Sequence, residues 1–209
     1  MRLPNAAHTS QPWRIHEFVP DFRLEDVWGL SAPAADGFAQ AIEVIASSDP
    51  AKSSSGAVRM LFALRWKLGE LLGWDRPESG VGARVPTLRD RLPADLLTAP
   101  GPKFAALPFT SLYLLENEFA AEAANETMHG VMHIGLVGHE AAGYRAQMAV
   151  LVKPNGLLGD AYMAAIRPFR QLIVYPPLLS EMERSWRARA PSRSRAGSVP
   201  GGFHPVSAQ

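Results

Sequence analysis

A chain of 209 residues with 47% apolar and 20% charged side chains has the composition of one globular domain with a sizeable core. Its formal net charge of +1 gives no basic bias toward nucleic acid, and the absence of cysteine excludes disulfides, thiolate chemistry and thiolate metal sites. The start, MRLPNAAHTSQPW, has no apolar stretch of signal-peptide length, and no uncharged apolar window approaches about eighteen residues, so a soluble, cytoplasmic protein without a membrane span is expected.

Residues 1–12 read as an extended lead-in. Trp13 to Val19 alternates with a period of two and predicts a first strand closed by Pro20. Leu24, Val27 and Trp28 recur at helical spacing and predict a short helix or turn over Arg23 to Leu30. Asp36 is placed to cap a helix through Phe38, Ile42 and Ile45 that ends at Ser47-Ser48-Asp49-Pro50. A second helix is the clearest element: Ser54 or Ser55 caps it, Val58, Leu61, Phe62, Leu68, Leu71 and Leu72 follow at three- and four-residue spacing, and Gly73 stops it.

Residues 74–108 are rich in Pro, Gly and charge, with a helical turn predicted at Thr87 to Asp90. Loops this long are often functional. Phe109 to Leu115 predicts a strand. The segment ENEFAAEAAN, 116–125, is compatible with helix by composition and with strand by position. Thr127 to Val137 and Tyr144 to Lys153 predict an antiparallel hairpin. In its second strand Tyr144, Met148, Val150 and Val152 share one face and Arg145, Gln147 and Lys153 the other, the alternation of a sheet with one wet face. Gly156 to Arg189 predicts helix broken by Pro168 and Pro176-Pro177. The tail, 190–209, is rich in Ser, Gly, Pro and Arg and is expected to be disordered.

Helices gathered on one side of an antiparallel sheet make an α+β fold. A curved sheet around a long C-terminal helix leaves an apolar cavity, a usual place for small molecules.

Few motifs carry chemistry. KPNGLLG, 153–159, lacks both phosphate-loop glycine spacings and reads as the turn from last strand to last helix. Tyr162, Ile166, Phe169 and Ile173 share one helix face. With Met132 and Met148 they are candidate cavity-lining residues, Tyr162 offering a hydroxyl. Arg167 and Arg170, a turn apart, are candidates to hold a carboxylate or phosphate.

His129 and His133 are four apart in a strand. At roughly 3.3 Å per residue they stand about 13 Å from each other, too far to share a zinc at about 2.1 Å from each. No metal and no cofactor are expected. If Met128, Met132, Ile134 and Leu136 form the core face, both histidines point outward. Glu116, Glu118 and Glu122 read first as a solvated acidic face. The alternative is a buried Glu–His pair able to transfer protons, which makes Glu122, His129 and His133, with Tyr162, the catalytic candidates. Arg84, Arg89, Asp90 and Arg91 lie in the long loop, as a gate, a docking patch or surface ion pairs.

Separated segments resemble one bacterial family: HTSQPWRIHEF, DFRLEDVW, RWKLGELLGWD, RVPTLRDRLP, NETMHGVMHIG and MAVLVKPNGLLGDAYMAAIRPFRQLIVYP. Together they span about residues 1–189, and the family they resemble is the domain-of-unknown-function family numbered 2867. The resemblance implies a START-like, Bet v 1-like helix-grip domain over 1–189, with an apolar cavity between sheet and C-terminal helix. It brings no catalytic residues with it. Binding of an apolar or amphipathic small molecule is the reading adopted. One alternative is a cavity enzyme of cyclase, dehydratase or isomerase type using Tyr162 and a Glu or His. The other is an interaction module with a protein partner, working beside an oxidoreductase as the resemblance implies.

Overall fold

The structure, a computed structural model, describes residues 1–31, 37–52, 56, 59–60, 63, 67, 80–82, 85–139 and 143–189. Among them six strands form one antiparallel sheet: β1 (Arg2–Leu3), β2 (Arg23–Ser31), β3 (Thr110–Leu114), β4 (Glu118–Ala124), β5 (Met128–His139) and β6 (Gly143–Pro154). Their order is β1-β2-β6-β5-β4-β3, so β3 to β6 form a meander whose last strand, β6, pairs with β2. The helices are α1 (Ala6–Thr9), α2 (Phe38–Ser47), α3 (Ala94–Leu97), α4 (Gly156–Phe169) and α5 (Tyr175–Arg189). The architecture is α+β. Most of the helix expected over 54–73 lies outside the described residues, as do Asp36, Arg84 and the tail; Gly56, Arg59, Met60, Ala63 and Lys67 are helical.

Two early expectations are corrected. The alternating stretch Trp13 to Val19 is not a strand but contains a 3-10 turn, Arg14–Glu17, whose first amides are drawn to a carboxylate on the sheet. Arg23 to Leu30 is not a helix but strand β2. Its register with β6 shifts between Leu24 and Asp26, so Leu24 pairs with Leu151 and Val27 with Ala149. A bulge inserts one residue into a strand. Leu24 and Val27 therefore share a face at i, i+3, a spacing that imitates a helix.

The sheet has no wet face at its centre. One row runs Trp28, Met148, Ile134, Phe119 across β2, β6, β5 and β4, and its side packs against α2 and α5 through Phe38, Ile42, Ile45, Tyr175 and Leu179. The next row, Val27, Ala149, His133, Ala120, faces the other way. Trp13, Ile15, Phe18 and Val19 cover that second face from one end of the chain, and Leu88, Leu92 and Leu96 from the long loop. The expected polar face of β6 is corrected for the same reason: Gln147, Ala149 and Leu151 are buried under this cover.

Close approach requires glycine at two places and a positive φ at a third. A Cβ at Gly135 would stand 2.5 to 2.9 Å from the Trp13 ring, so the indole lies directly on the β5 backbone. Gly156 takes φ +69° where β6 turns into α4. A Cβ at Gly159 would meet the Thr127 carbonyl at 2.3 Å, and Asn155 donates from Nδ2 to Asn125 O at 3.0 Å. KPNGLLG is thus a turn clamped onto the β4–β5 connection.

The breaks expected at Pro168 and at Pro176-Pro177 are corrected: residues 156–189 are helical throughout, α4 passing into α5 through a π-helical turn. Pro168 is carried inside α4, and the irregularity is the π-helical turn, Arg170–Val174. Pro176 and Pro177 open α5 directly after that turn.

Gly135→Ala overpacks the Trp13 slot and is expected to lower unfolding free energy by about 1–3 kcal/mol. Urea denaturation followed by tryptophan fluorescence measures it; an unchanged midpoint would mean that Trp13 is not seated there.

Candidate functional site

Pairing of β4 with β5 sets Glu118 opposite Gly135, Ala120 opposite His133 and Glu122 opposite Val131. Each glutamate then reaches the histidine two residues off its register. His133 Nε2 lies 3.0 Å from Glu118 Oε1, and His129 Nε2 lies 2.8 Å from Glu122 Oε2. Glu118 is 2% exposed, Glu122 0% and His133 0%, so neither the solvated acidic face nor the outward histidines survive. Glu116 alone of the three glutamates is exposed. Sheet alternation did set the histidines away from Met132 and Ile134, but the face they reach is covered, not wet.

The carboxylates hold the cover down. Glu118 accepts from the amides of Arg14 at 2.9 Å and Ile15 at 3.0 Å, and from the Tyr113 hydroxyl at 2.5 Å. Glu122 accepts from the Leu88 amide at 3.0 Å and the Thr87 hydroxyl at 2.5 Å. Each therefore satisfies orphan amides at the start of a 3-10 turn, Arg14–Glu17 in one case and Leu88–Arg91 in the other. Burial alone would raise the Glu118 pKa, yet the donors from His133, Tyr113 and the Arg14 amide hold it below the usual carboxylate range. Burial, with Glu118 beside it, pushes the Tyr113 phenol far upward, so it remains a donor.

Beyond His133 the row continues. His8 Nε2 lies 3.0 Å from His133 Nδ1, and His16 Nε2 lies 3.2 Å from His8 Nδ1. His8 is buried and His16 half-buried, so the row leads from a sealed carboxylate toward the surface. With Glu118 ionised and the rings neutral, donor counting gives one consistent pattern: each Nε2–H donates to the next acceptor, ending on Glu118. Burial, then His133 and His16, lower the His8 pKa to about 3. Burial likewise lowers that of His16. The ring nitrogens of this row face one another. Among the described residues no three His, Asp or Glu side chains gather where a metal ion could be held.

The other candidates lie elsewhere. Met148 is buried and Met132 partly so in the helix-side core beside Trp28 and Phe119. Tyr162 and Ile166 are half-buried on α4, Arg167 is exposed, and the Phe169 side chain lies outside the described residues. Arg170 is taken by the chain's own carboxylates, 3.0 Å from Asp26 and 3.3 Å from Glu25, while Gln171 donates to Asp26 at 2.5 Å. Among the loop residues, Arg91 pairs with Asp21 at 2.8 Å and Arg89 donates to the Ser111 and Leu112 carbonyls, so both fasten the long loop. Sequence reading missed His8, His16, Tyr113 and Thr87. The available signal was the equal four-residue spacing of Glu118/Glu122 and His129/His133 on either side of one short turn.

On the opposite face an open crevice of about 210 Å³ lies where β2 meets α5. Trp28, Leu30, Pro176, Leu179 and Glu183 line it, with Met1 and Gly29 at the sheet edge. Trp28 Nε1 is buried without a hydrogen-bond partner.

Glu122→Ala leaves His129, Thr87 and the Leu88 amide without their acceptor. It is expected to cost about 3–5 kcal/mol, whereas Glu122→Gln keeps one acceptor oxygen and costs about 1–3 kcal/mol. Urea titration of the two variants checks the order, and equal losses would contradict it.

No helix among the described residues is long and apolar enough to cross a membrane. No curated protein and no solved structure matches the chain. Residues 18–177 match the family described as "Protein of unknown function (DUF2867)". That span takes in β2 through the start of α5, with both Glu–His pairs and half of the residues that line the crevice, and the chain belongs to the DUF2867 family.

Proposed function

We propose that this domain binds an apolar or amphipathic small molecule between its sheet and its C-terminal helix, as START-like, Bet v 1-like helix-grip proteins do. The observation that carries the reading is the crevice between Trp28 and Leu30 on β2 and Pro176 and Leu179 on α5. It lies on the helix-covered side of a sheet in which the first long strand, β2, neighbours the last, β6. Its walls combine aromatic and aliphatic groups with the polar edges of Ser180 and Glu183, the mixture common in small-molecule sites.

A second reading, an acid–base enzyme, draws on the buried pairs Glu122–His129 and Glu118–His133. Those pairs sit on the other face of the sheet from the crevice and carry the covering segments. Tyr162, the third acid–base candidate, belongs to α4, in a different part of the fold. Binding without chemistry is therefore the better supported function.

Titration with the fluorescent apolar probe N-phenyl-1-naphthylamine tests this. Saturable binding at one site is expected, and Leu179→Trp, which fills the crevice, should weaken it by about tenfold, roughly 1.4 kcal/mol. Absence of saturable binding, or equal affinity in the variant, would sink the proposal.

A further inference from the structure

Residues 1–12 lie along the sheet edge as an arm comprising β1 and α1, and His8 is the one side chain in it that is buried. The other ties are light. β1 pairs with β2 over two residues, Arg2 with Trp28 and Leu3 with Val27. Arg2 stands 3.7 Å from Asp26 while itself solvent-exposed, and Asn5 donates to the Leu24 carbonyl at 3.0 Å on the surface. Leu3 rests partly buried over Gly29, and the Gly29 amide donates to Met1 O at 2.8 Å. What seats the arm is an imidazole inserted between two others, with ring centroids 4.9 Å from His16 on one side and 4.9 Å from His133 on the other.

The groups that face His8 are His16 on the 3-10 turn, His133 on β5, and Glu118 on β4 behind His133. Tyr113 on β3 is committed to Glu118, and Arg14 to Glu17 and Asp95. The row thus holds three titratable rings and one carboxylate. One added proton can be accommodated, because each N–H still meets a lone pair. A second sets donor against donor and places two cations in contact.

We propose that the arm is a proton-operated cover: with neutral rings His8 plugs it to the sheet, and in a mildly acidic medium the arm comes away. Met1 and Gly29 form one side of the crevice, so release opens that side. This consequence rests on the crevice being the binding site; the release itself does not. The sign follows from linkage. His8 is a base whose pKa falls on docking, so its stabilising contribution is complete above the free imidazole value of about 6.5 and is lost as pH drops from there toward about 3. Glu118, held below its ordinary range, keeps its contribution until pH reaches roughly 4.3. Release above that value therefore belongs to the histidines.

Hydrogen exchange of the whole chain, corrected for intrinsic rates, is compared at about pH 7.5 and about pH 5. In the wild type, protection of the Ala7 to Gln11 and Gly29 amides is expected to fall by about tenfold or more, while the Ile134 and Met148 amides stay protected. His8→Gln, which keeps donor and acceptor without a charge, should make arm protection independent of pH. His8→Phe serves as a second uncharged plug if the glutamine does not seat. Unchanged wild-type protection overturns the proposal, as does equal loss in the central strands or the same pH dependence in a seated variant. If neither variant seats, the wild-type comparison against the central strands decides. N-phenyl-1-naphthylamine affinity read at both pH values separates the two ideas. Arm release without a change in affinity removes the arm's link to the crevice, and no probe binding at either pH removes the crevice reading while leaving the arm to exchange.

Discussion

Two glutamates buried on one face of a sheet set most of what this molecule is. A carboxylate taken out of water without partners is untenable, so Glu118 and Glu122 must collect donors, and the donors they collect belong to segments remote in sequence. Glu118 draws in residues 14 and 15 and the Tyr113 hydroxyl; Glu122 draws in Thr87 and Leu88. The apolar side chains of those segments then close over the strands. Hydrophobic burial supplies the bulk of the stabilisation there, but it is non-directional. The carboxylates fix which amide sits where, and so the register of the cover on the sheet.

The opposite face is organised differently. There α2 and α5 bury an apolar row, and polar groups gather at its margin, where Arg170 and Gln171 meet Glu25 and Asp26. Asp26 follows the bulge in β2, and Arg170 opens the π-helical turn. Two local irregularities thus meet in one ion cluster, where α4 passes into α5. Beyond it α5 carries Leu179 and Glu183, which line the crevice with Trp28 and Leu30 of β2. Arginines of a C-terminal helix suggest an anion site when read alone; here the anion belongs to the protein.

The two faces meet at the β1–β2 edge. There the arm that carries His8 to the histidine row also contributes Met1 to the crevice. The central hairpin, tightly paired along twelve residues in each strand, is the rigid part to which both are referred. An arm with a single buried side chain is the element of this fold most open to local release. That side chain is an imidazole, the group whose charge changes nearest neutral pH.

The sequence by itself determined the α+β class, the antiparallel hairpin over 127–153, the helix through Phe38, Ile42 and Ile45, and the turn at KPNG. All of these rest on local periodicity and turn chemistry acting over a few residues. Only tertiary structure decided the rest. Leu24 and Val27 share a face because of a bulge, which no spacing rule distinguishes from a helical turn. Trp13 to Val19 became a 3-10 turn because a carboxylate about a hundred residues away takes its amides. His8 and His16, in a stretch that looks like a lead-in, became part of the buried site because the arm folds over β5. The second face of the sheet reads as wet or covered according to what lies on it. Burial is a property of two surfaces, and a periodic pattern reports only one of them.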